Sequence, residues 1–216
     1  MRFIGLLGWL LLLAAQPAWA EAPAKLQLLE KRLAALAIEN PGEFGIAAVD
    51  LSTGAQVGFN AERAFPMAST MKIAVAAAYL ADVDAGRRSL GDMIGGHSAG
   101  QLMDAMITRS DNRATDMLIE ALGGPSRVDA WLHANGLSGI RVDRTIAQLL
   151  SARRDLWDVR DSSTPAAMLD LLRVIDGGEA LAPSSRALLL NMMYRCRTGS
   201  NRIRGILPPG TRVENK

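Results

Sequence analysis

Apolar residues recur at helical spacing near the start of the chain. Leu26, Leu29, Leu33 and Leu36 fall on one face of 24–38, with Lys25, Glu30 and Lys31 elsewhere, which predicts an amphipathic helix. Asn40-Pro41-Gly42 ends it. The period then changes. Residues 44–50 and 56–60 read as two strands around a Ser52-Thr53-Gly54 turn, a β-hairpin. Residues 70–81 are almost wholly apolar, hold no Gly or Pro, and keep to no single stripe. That predicts a helix buried on all sides, closed near Gly86 as C-cap. The Gly-rich stretch 89–98 reads as a loop. Helices are predicted over 102–108, 114–122, 126–134, 164–175 and 183–194. Residues 141–161 form a long charged connection of weak periodicity, and Arg212-Val213-Glu214 reads as the start of a strand. A hairpin, then a run of helices, then one strand are segregated elements, so the expected class is α+β.

The first residues stand apart. Met1-Arg2, an apolar run from Phe3 to Ala15 and Ala18-Trp19-Ala20 describe a secretory signal peptide cleaved after Ala20. The expected product, residues 21–216, is one exported domain, periplasmic or secreted and free of the membrane after signal removal. The single Cys196 excludes an intrachain disulfide. The two histidines, His97 and His133, are far apart in sequence and no Cys/His cluster exists, so no metal and no cofactor are expected. A net charge of +2 with scattered arginines is not the footprint of a nucleic-acid binder. A monomer acting on a small molecule is the expectation.

Candidate chemistry gathers at the buried helix. Ser69 sits at its start, with Lys72 three residues on along the same face. A hydroxyl and an amine thus lie at the positive end of a buried helix dipole. Serine needs a base to become a nucleophile, and a desolvated lysine of lowered pKa can supply one. Taken alone, Ser69 equally fits a helix cap, and so does Ser110-Asp111-Asn112.

Three elements in order, Ser69-Thr70-Met71-Lys72, Ser110-Asp111-Asn112 and Lys216, resemble the signature set of class A β-lactamases and penicillin-binding proteins. The similarity to class A β-lactamases goes further, through Phe65-Pro66-Met67-Ala68, Ala121-Leu122-Gly123-Gly124-Pro125, Arg141-Val142-Asp143-Arg144, Arg160-Asp161-Ser162-Ser163-Thr164-Pro165 and Thr198-Gly199-Ser200-Asn201-Arg202. The resemblance implies a helical lobe against an antiparallel sheet, and a substrate of the β-lactam or D-Ala-D-Ala type. It implies Ser69 as nucleophile, Lys72 as proton acceptor or relay, and Ser110 as donor to the leaving nitrogen. It further implies Asn112, Arg202 and Lys216 as substrate-binding residues, and Arg144 with Asp161 as the ion pair closing an Ω-shaped loop.

The sequence also departs from that family. The deacylating glutamate is expected two residues after Arg144 and an asparagine four further on, where this chain has Ile146 and Leu150. Isoleucine can neither accept a proton nor orient a water, so deacylation is expected to be slow. Asp143, Gln148, Asp155 and Asp158 are the loop residues that could reach the site instead. The segment between the Ser69 helix and Ser110 is short for the family, which implies a more open cleft. The sequence ends at Lys216, where the family continues with Thr-Gly, two strands and a helix. The expectation is a fragment with a bare strand edge at 44–50. Alongside a β-lactamase, two readings stay open: a D,D-peptidase- or esterase-like hydrolase acting on cell-wall peptides, and a non-catalytic penicillin-binding-type protein.

Overall fold

The computed structural model describes residues 24–152 and 158–216. Residues 1–20, where a signal peptide is expected, and Asp155 lie outside the described residues. At the centre runs α2 (Met71–Asp84), in which every residue from Met71 to Leu80 is buried. Four alanines, Ala74 and Ala76 to Ala78, let neighbouring backbones come close. Around α2 pack α3 (Ala99–Arg109), α4 (Asn112–Leu122), α5 (Pro125–Ala134) and α8 (Pro183–Tyr194). Each neighbour is amphipathic and turns its apolar stripe inward: Met103, Met106 and Ile107 from α3, Leu118 and Ile119 from α4, Leu132 from α5, Leu189 from α8. The all-round burial predicted for 70–81 follows from this ring.

Local chemistry sets the joints. Ser98 and Gln101 form a capping box at the start of α3. Ser110 turns the chain in the left-handed region, with φ 60°, and the Asp111 side chain accepts the Ala114 N–H at 2.8 Å to start α4. Gly123 and Gly124 take φ of 103° and 101°, and Pro125 opens α5 at a position where its missing N–H costs nothing.

The hairpin forms as predicted. Strand β1 (Ile46–Val49) pairs antiparallel with β2 (Gln56–Phe59), Ile46 opposite Phe59 and Val49 opposite Gln56. Among the described residues β1 has no second neighbour. Helix α1 (Ala24–Glu39) lies on β2, where the Glu30 carboxylate accepts the Gly58 N–H at 3.1 Å. Its leucine face is only partly covered: Leu29 is 41% and Leu36 56% exposed. Strand β3 (Phe65–Pro66), just before Ser69, pairs with β6 (Ser162–Ser163), just after Asp161. A side chain at Gly45 would meet the Phe65 ring at 2.3 Å, so glycine lets the hairpin close onto β3.

Three expectations are corrected. Residues 89–98 are not a bare loop but contain the hairpin β4 (Met93–Ile94) and β5 (His97–Ser98), turned by Gly95-Gly96 with positive φ at both. The charged connection contains a helix, α6 (Ile146–Ser151). Residues 212–214 form no strand, because a strand exists only by exchanging ladder bonds with a neighbour. Here Val213 O instead accepts from Arg204, and Asn215 N–H donates to Met193 O. The remaining helices are α7 (Pro165–Gly177) and the four-residue α9 (Ile203–Ile206). The whole is α+β, a helical lobe with small antiparallel sheets. No described helix is long and apolar enough to cross a membrane.

Candidate active site

Ser69 does not lie within α2 itself. It sits in a 3-10 turn, Ala68–Thr70, that leads into the helix. The turn is reached through Ala68 in the left-handed region, φ 47°, a conformation uncommon for a residue with a side chain. The Met67 N–H donates to Asp161 O at 3.0 Å, and the Thr70 hydroxyl donates to Met67 O at 2.7 Å. At a helix start the first N–H groups lack intrahelical acceptors, so the Ser69 N–H is placed to act as a donor.

Lys72, in the first turn of α2, is fully buried. Its Nζ lies 2.7 Å from Ser110 O, 2.7 Å from Asn112 Oδ1 and 3.0 Å from Ser110 Oγ. Ser110 Oγ is in turn 2.8 Å from Ser69 Oγ. The direct Ser69–Lys72 hydrogen bond that the spacing suggests is absent among the described residues, and Ser110 stands between the two. The i, i+3 relation aligns their backbones, but the long lysine stem carries its amine on to the α3–α4 turn. That turn is what the left-handed Ser110 creates.

Three acceptors around one amine suit either protonation state. As ammonium, Lys72 donates to all three. As a neutral amine it has two N–H groups, for Ser110 O and Asn112 Oδ1, and a lone pair that accepts the Ser110 O–H. Burial pushes the Lys72 pKa below the ordinary lysine range, and the carboxylates of Asp111 and Asp116 oppose it. In its neutral form the amine is within hydrogen-bond reach of a proton relayed from Ser69 by way of Ser110.

Lys216 arrives from the other side. Its Nζ donates to Met106 O at 2.7 Å and Ile107 O at 3.0 Å, carbonyls near the C-terminal end of α3. Burial first, and then the Lys72 charge, push its pKa down to about 8, with Cys196 pulling the other way. Arg202, by contrast, is exposed before α9, and its side chain lies against Gly199. No hydrogen bond or ion pair among the described residues ties it to Ser69, Lys72 or Ser110.

The loop from Arg144 to Asp161 is pinned at its neck. Asp161, 2% exposed, accepts the Asp143 N–H at 2.8 Å, the Arg144 N–H at 3.0 Å and the Arg144 guanidinium. Asp143 takes the Asp161 N–H at 3.1 Å in return. Because Met67 hangs on Asp161 O and β3 on β6, the neck also holds the strand that delivers Ser69. Arg144→Ala leaves a buried carboxylate without its cation and is expected to cost about 3 kcal/mol. Urea unfolding of the variant beside the parent checks this.

Inside the loop, Ile146 is 5% exposed within the apolar core, whereas Leu150 is 65% exposed. None of the described loop candidates stands free over Ser69. Asp143 pairs with Arg141, Asp158 with Arg160 and Arg144, and Gln148 completes a capping box with Thr145. The residue that sequence reasoning missed is Asp116 on α4. Its carboxylate accepts the Ile146 N–H at 2.6 Å and the Ala147 N–H at 2.9 Å. Its spacing of four from Asn112 was the available signal. Among the described residues no His/Cys/Asp/Glu group could hold a metal ion.

The sequence model of the β-lactamase enzyme family matches residues 27–216. The chain is 32% identical over 225 aligned positions to the β-lactamase CTX-M-8 of Citrobacter amalonaticus, covering 95% of this chain and 75% of that one. An ancestral (GNCA) class A β-lactamase superposes with a TM-score of 0.80 at 36% identity, over 84% of this chain and 76% of that one. A β-lactamase from Xanthomonas campestris pv. campestris does so with a TM-score of 0.80 at 31% identity, over 86% and 75%.

Proposed function

The chain belongs to the class A β-lactamase family of serine hydrolases, and on that premise we propose that it opens β-lactam rings through an acyl-enzyme on Ser69 that turns over slowly. The observation that carries this reading is the hydrogen-bond chain from Ser69 Oγ through Ser110 Oγ, 2.8 Å, to Lys72 Nζ, 3.0 Å. Ser69 Oγ attacks the lactam carbonyl while its proton passes to Ser110 and the Ser110 proton passes to Lys72. The Ser69 N–H donates to the developing oxyanion. When the C–N bond breaks, Ser110 protonates the leaving nitrogen and Lys72 returns its proton to Ser110. The product is an ester on Ser69, and the lysine is neutral again.

Hydrolysis of that ester needs a primed water. Ile146, at the position where the family carries its glutamate, has a hydrocarbon side chain and cannot prime one. The loss of general-base help is worth about 10²–10⁴ in rate. Acylation then outpaces deacylation and the acyl-enzyme accumulates. Lys216, with Arg202 as an outer charge, attracts the substrate carboxylate. With a pKa of about 8, Lys216 carries its charge below that pH and loses it above. KM for an anionic β-lactam is therefore expected to rise as pH passes through about 8, and steady-state kinetics between pH 6 and 10 check it.

The basic and apolar start of the chain, with Ala18-Trp19-Ala20, supports export to the periplasm or medium, where such substrates are met. The isoleucine also favours a second reading, a D,D-peptidase-like enzyme on cell-wall peptides that needs no such glutamate. Parallel assays decide between them. Hydrolysis of a chromogenic cephalosporin without release of D-alanine from a D-Ala-D-Ala peptide is expected; the reverse result would favour the peptidase.

A further inference from the structure

Helices α3, α4 and α8 and the β4–β5 hairpin border an open cleft of about 880 Å³, within the range of pockets that take a small organic molecule. Ser69, Lys72, Ser110, Asn112 and Lys216 do not line it. We propose that this cleft is a second binding site, for a small organic anion with an apolar body, and that Arg109 and Arg113 hold the anionic group. Its floor is hydrophobic: Leu102 from α3, Met117 from α4, Leu188 and Met192 from α8, and Leu90 from the segment before the hairpin. Met117 also fixes the rim. Its methyl lies 2.4 Å from where a Cβ at Gly95 would stand, and Gly95 has φ 56°. Glycine therefore lets the turn close onto α4, which brings His97 and Ser98 to the cleft.

The charges decide what fits above that floor. Two carboxylates line the cleft, and both are engaged. Asp111 caps α4 by accepting the Ala114 N–H at 2.8 Å. Asp104 accepts from Arg195, a residue outside the lining, at 2.8 Å. The start of α3 is satisfied as well, since Ser98 Oγ accepts the Gln101 N–H. The cations are less well matched. Arg109 is 56% exposed and meets Asp104 at 3.8 Å, beyond hydrogen-bond distance. Arg113 and His97 are exposed, and among the described residues neither side chain has a hydrogen-bond or ion-pair partner. Arg109 and Arg113 alone would cancel Asp104 and Asp111. Because Arg195 already takes up Asp104, the cleft keeps a surplus of positive charge. Two guanidinium forks match the oxygens of a carboxylate or sulfonate, and the floor covers an aromatic or alkyl body. A cationic ligand would find no carboxylate without a partner.

Two fluorescent probes test this, 8-anilinonaphthalene-1-sulfonate and its uncharged counterpart N-phenyl-1-naphthylamine, which share one aromatic body and differ by the sulfonate. Titration of the parent is expected to show the sulfonate binding at one site with a Kd about tenfold or more below that of the uncharged probe, the worth of a charge-assisted hydrogen bond. Arg113→Glu is expected to raise the sulfonate Kd about tenfold and to leave the uncharged probe within about twofold. Arg173→Glu makes the same charge change at an exposed position of α7 outside the cleft, and is expected to change neither Kd. Lys216→Met removes the active-site cation and is expected to leave sulfonate binding as it was. Equal affinity for the two probes overturns the proposal, as does a sulfonate Kd unchanged in Arg113→Glu. An equal rise in Arg173→Glu assigns the effect to net charge and overturns it. Lost binding in Lys216→Met places the sulfonate in the active site and overturns it too. If urea unfolding shows that Arg113→Glu does not fold, Arg113→Ala removes the exposed side chain without adding a charge. A sulfonate Kd about threefold higher is then expected, and an unchanged one overturns the proposal.

Discussion

Lys72→Met is expected to slow acylation of Ser69 by about 10²–10⁴-fold, the usual worth of a positioned proton acceptor. The relay makes the reason specific. Ser69 reaches Ser110, and among the described residues Ser110 reaches one amine, that of Lys72. With methionine in its place the Ser110 proton has no acceptor, and attack on a ring carbonyl must proceed from a neutral alcohol. Methionine keeps the lysine stem's packing in the core, so the comparison isolates the amine. Stability is expected to change far less. Removing a buried amine relieves its desolvation, while Ser110 O and Asn112 Oδ1 lose a donor. The pH dependence has a definite sign. Burial lowers the Lys72 pKa in the folded state, so between that lowered value and the ordinary lysine value the unfolded chain holds the extra proton, and stability rises with pH. Below that window the penalty is present in full, and above it both states are neutral. The methionine variant is expected to lose this rise, as urea unfolding across the window measures directly.

Ile146→Glu is expected to act in the opposite direction, speeding deacylation by about 10²–10⁴-fold and converting an enzyme that stalls on its ester into one that turns over. The backbone is prepared for it. Thr145 and Gln148 cap α6, and Asp116 holds the N–H groups of residues 146 and 147. The new carboxylate is expected to replace a side chain that is 5% exposed, close to the Asp116 charge. Burial and a like charge both raise a carboxyl pKa, so the gain is expected to be small at acidic pH and to grow toward neutrality. Some stability is lost as well, because an apolar side chain leaves the core. Single-turnover decay of the acyl-enzyme, measured from pH 5 to 8 in the variant and the parent, reads both effects.

These two residues also show what the sequence made legible. The helix through Lys72 could be read because ten consecutive buried positions leave an apolar run with no stripe, and α8 because Pro183 and an apolar period bracket it. Ser110-Asp111-Asn112 was visible as a turn between helices. The left-handed Ser110 that inserts its hydroxyl between Ser69 and Lys72 was not, since spacing along α2 points to a direct contact. The ladders β3–β6 and β4–β5 escaped because two residues per strand carry no period. α6 escaped because six residues in a charged stretch give too little pattern, although Thr145 and Gln148 spell its capping box. Asp116 escaped for a different reason. The family resemblance places a carboxylate in the loop, whereas the charge that meets the loop comes from α4. The strand expected at 212–214 failed because extended propensity alone does not supply a partner ladder.

Intact-mass spectrometry of the protein mixed with a chromogenic cephalosporin, sampled from milliseconds to hours, bears most directly on the Ser69–Ser110–Lys72 relay and the silent position 146. The expected spectrum shows one covalent adduct, mapped to Ser69, that forms quickly, decays far more slowly than it forms, and is missing in Ser69→Ala. Rapid hydrolysis with no accumulated adduct would contradict a stalled ester. An adduct that survives the loss of the Ser69 hydroxyl, or no reaction at all, would contradict the relay itself.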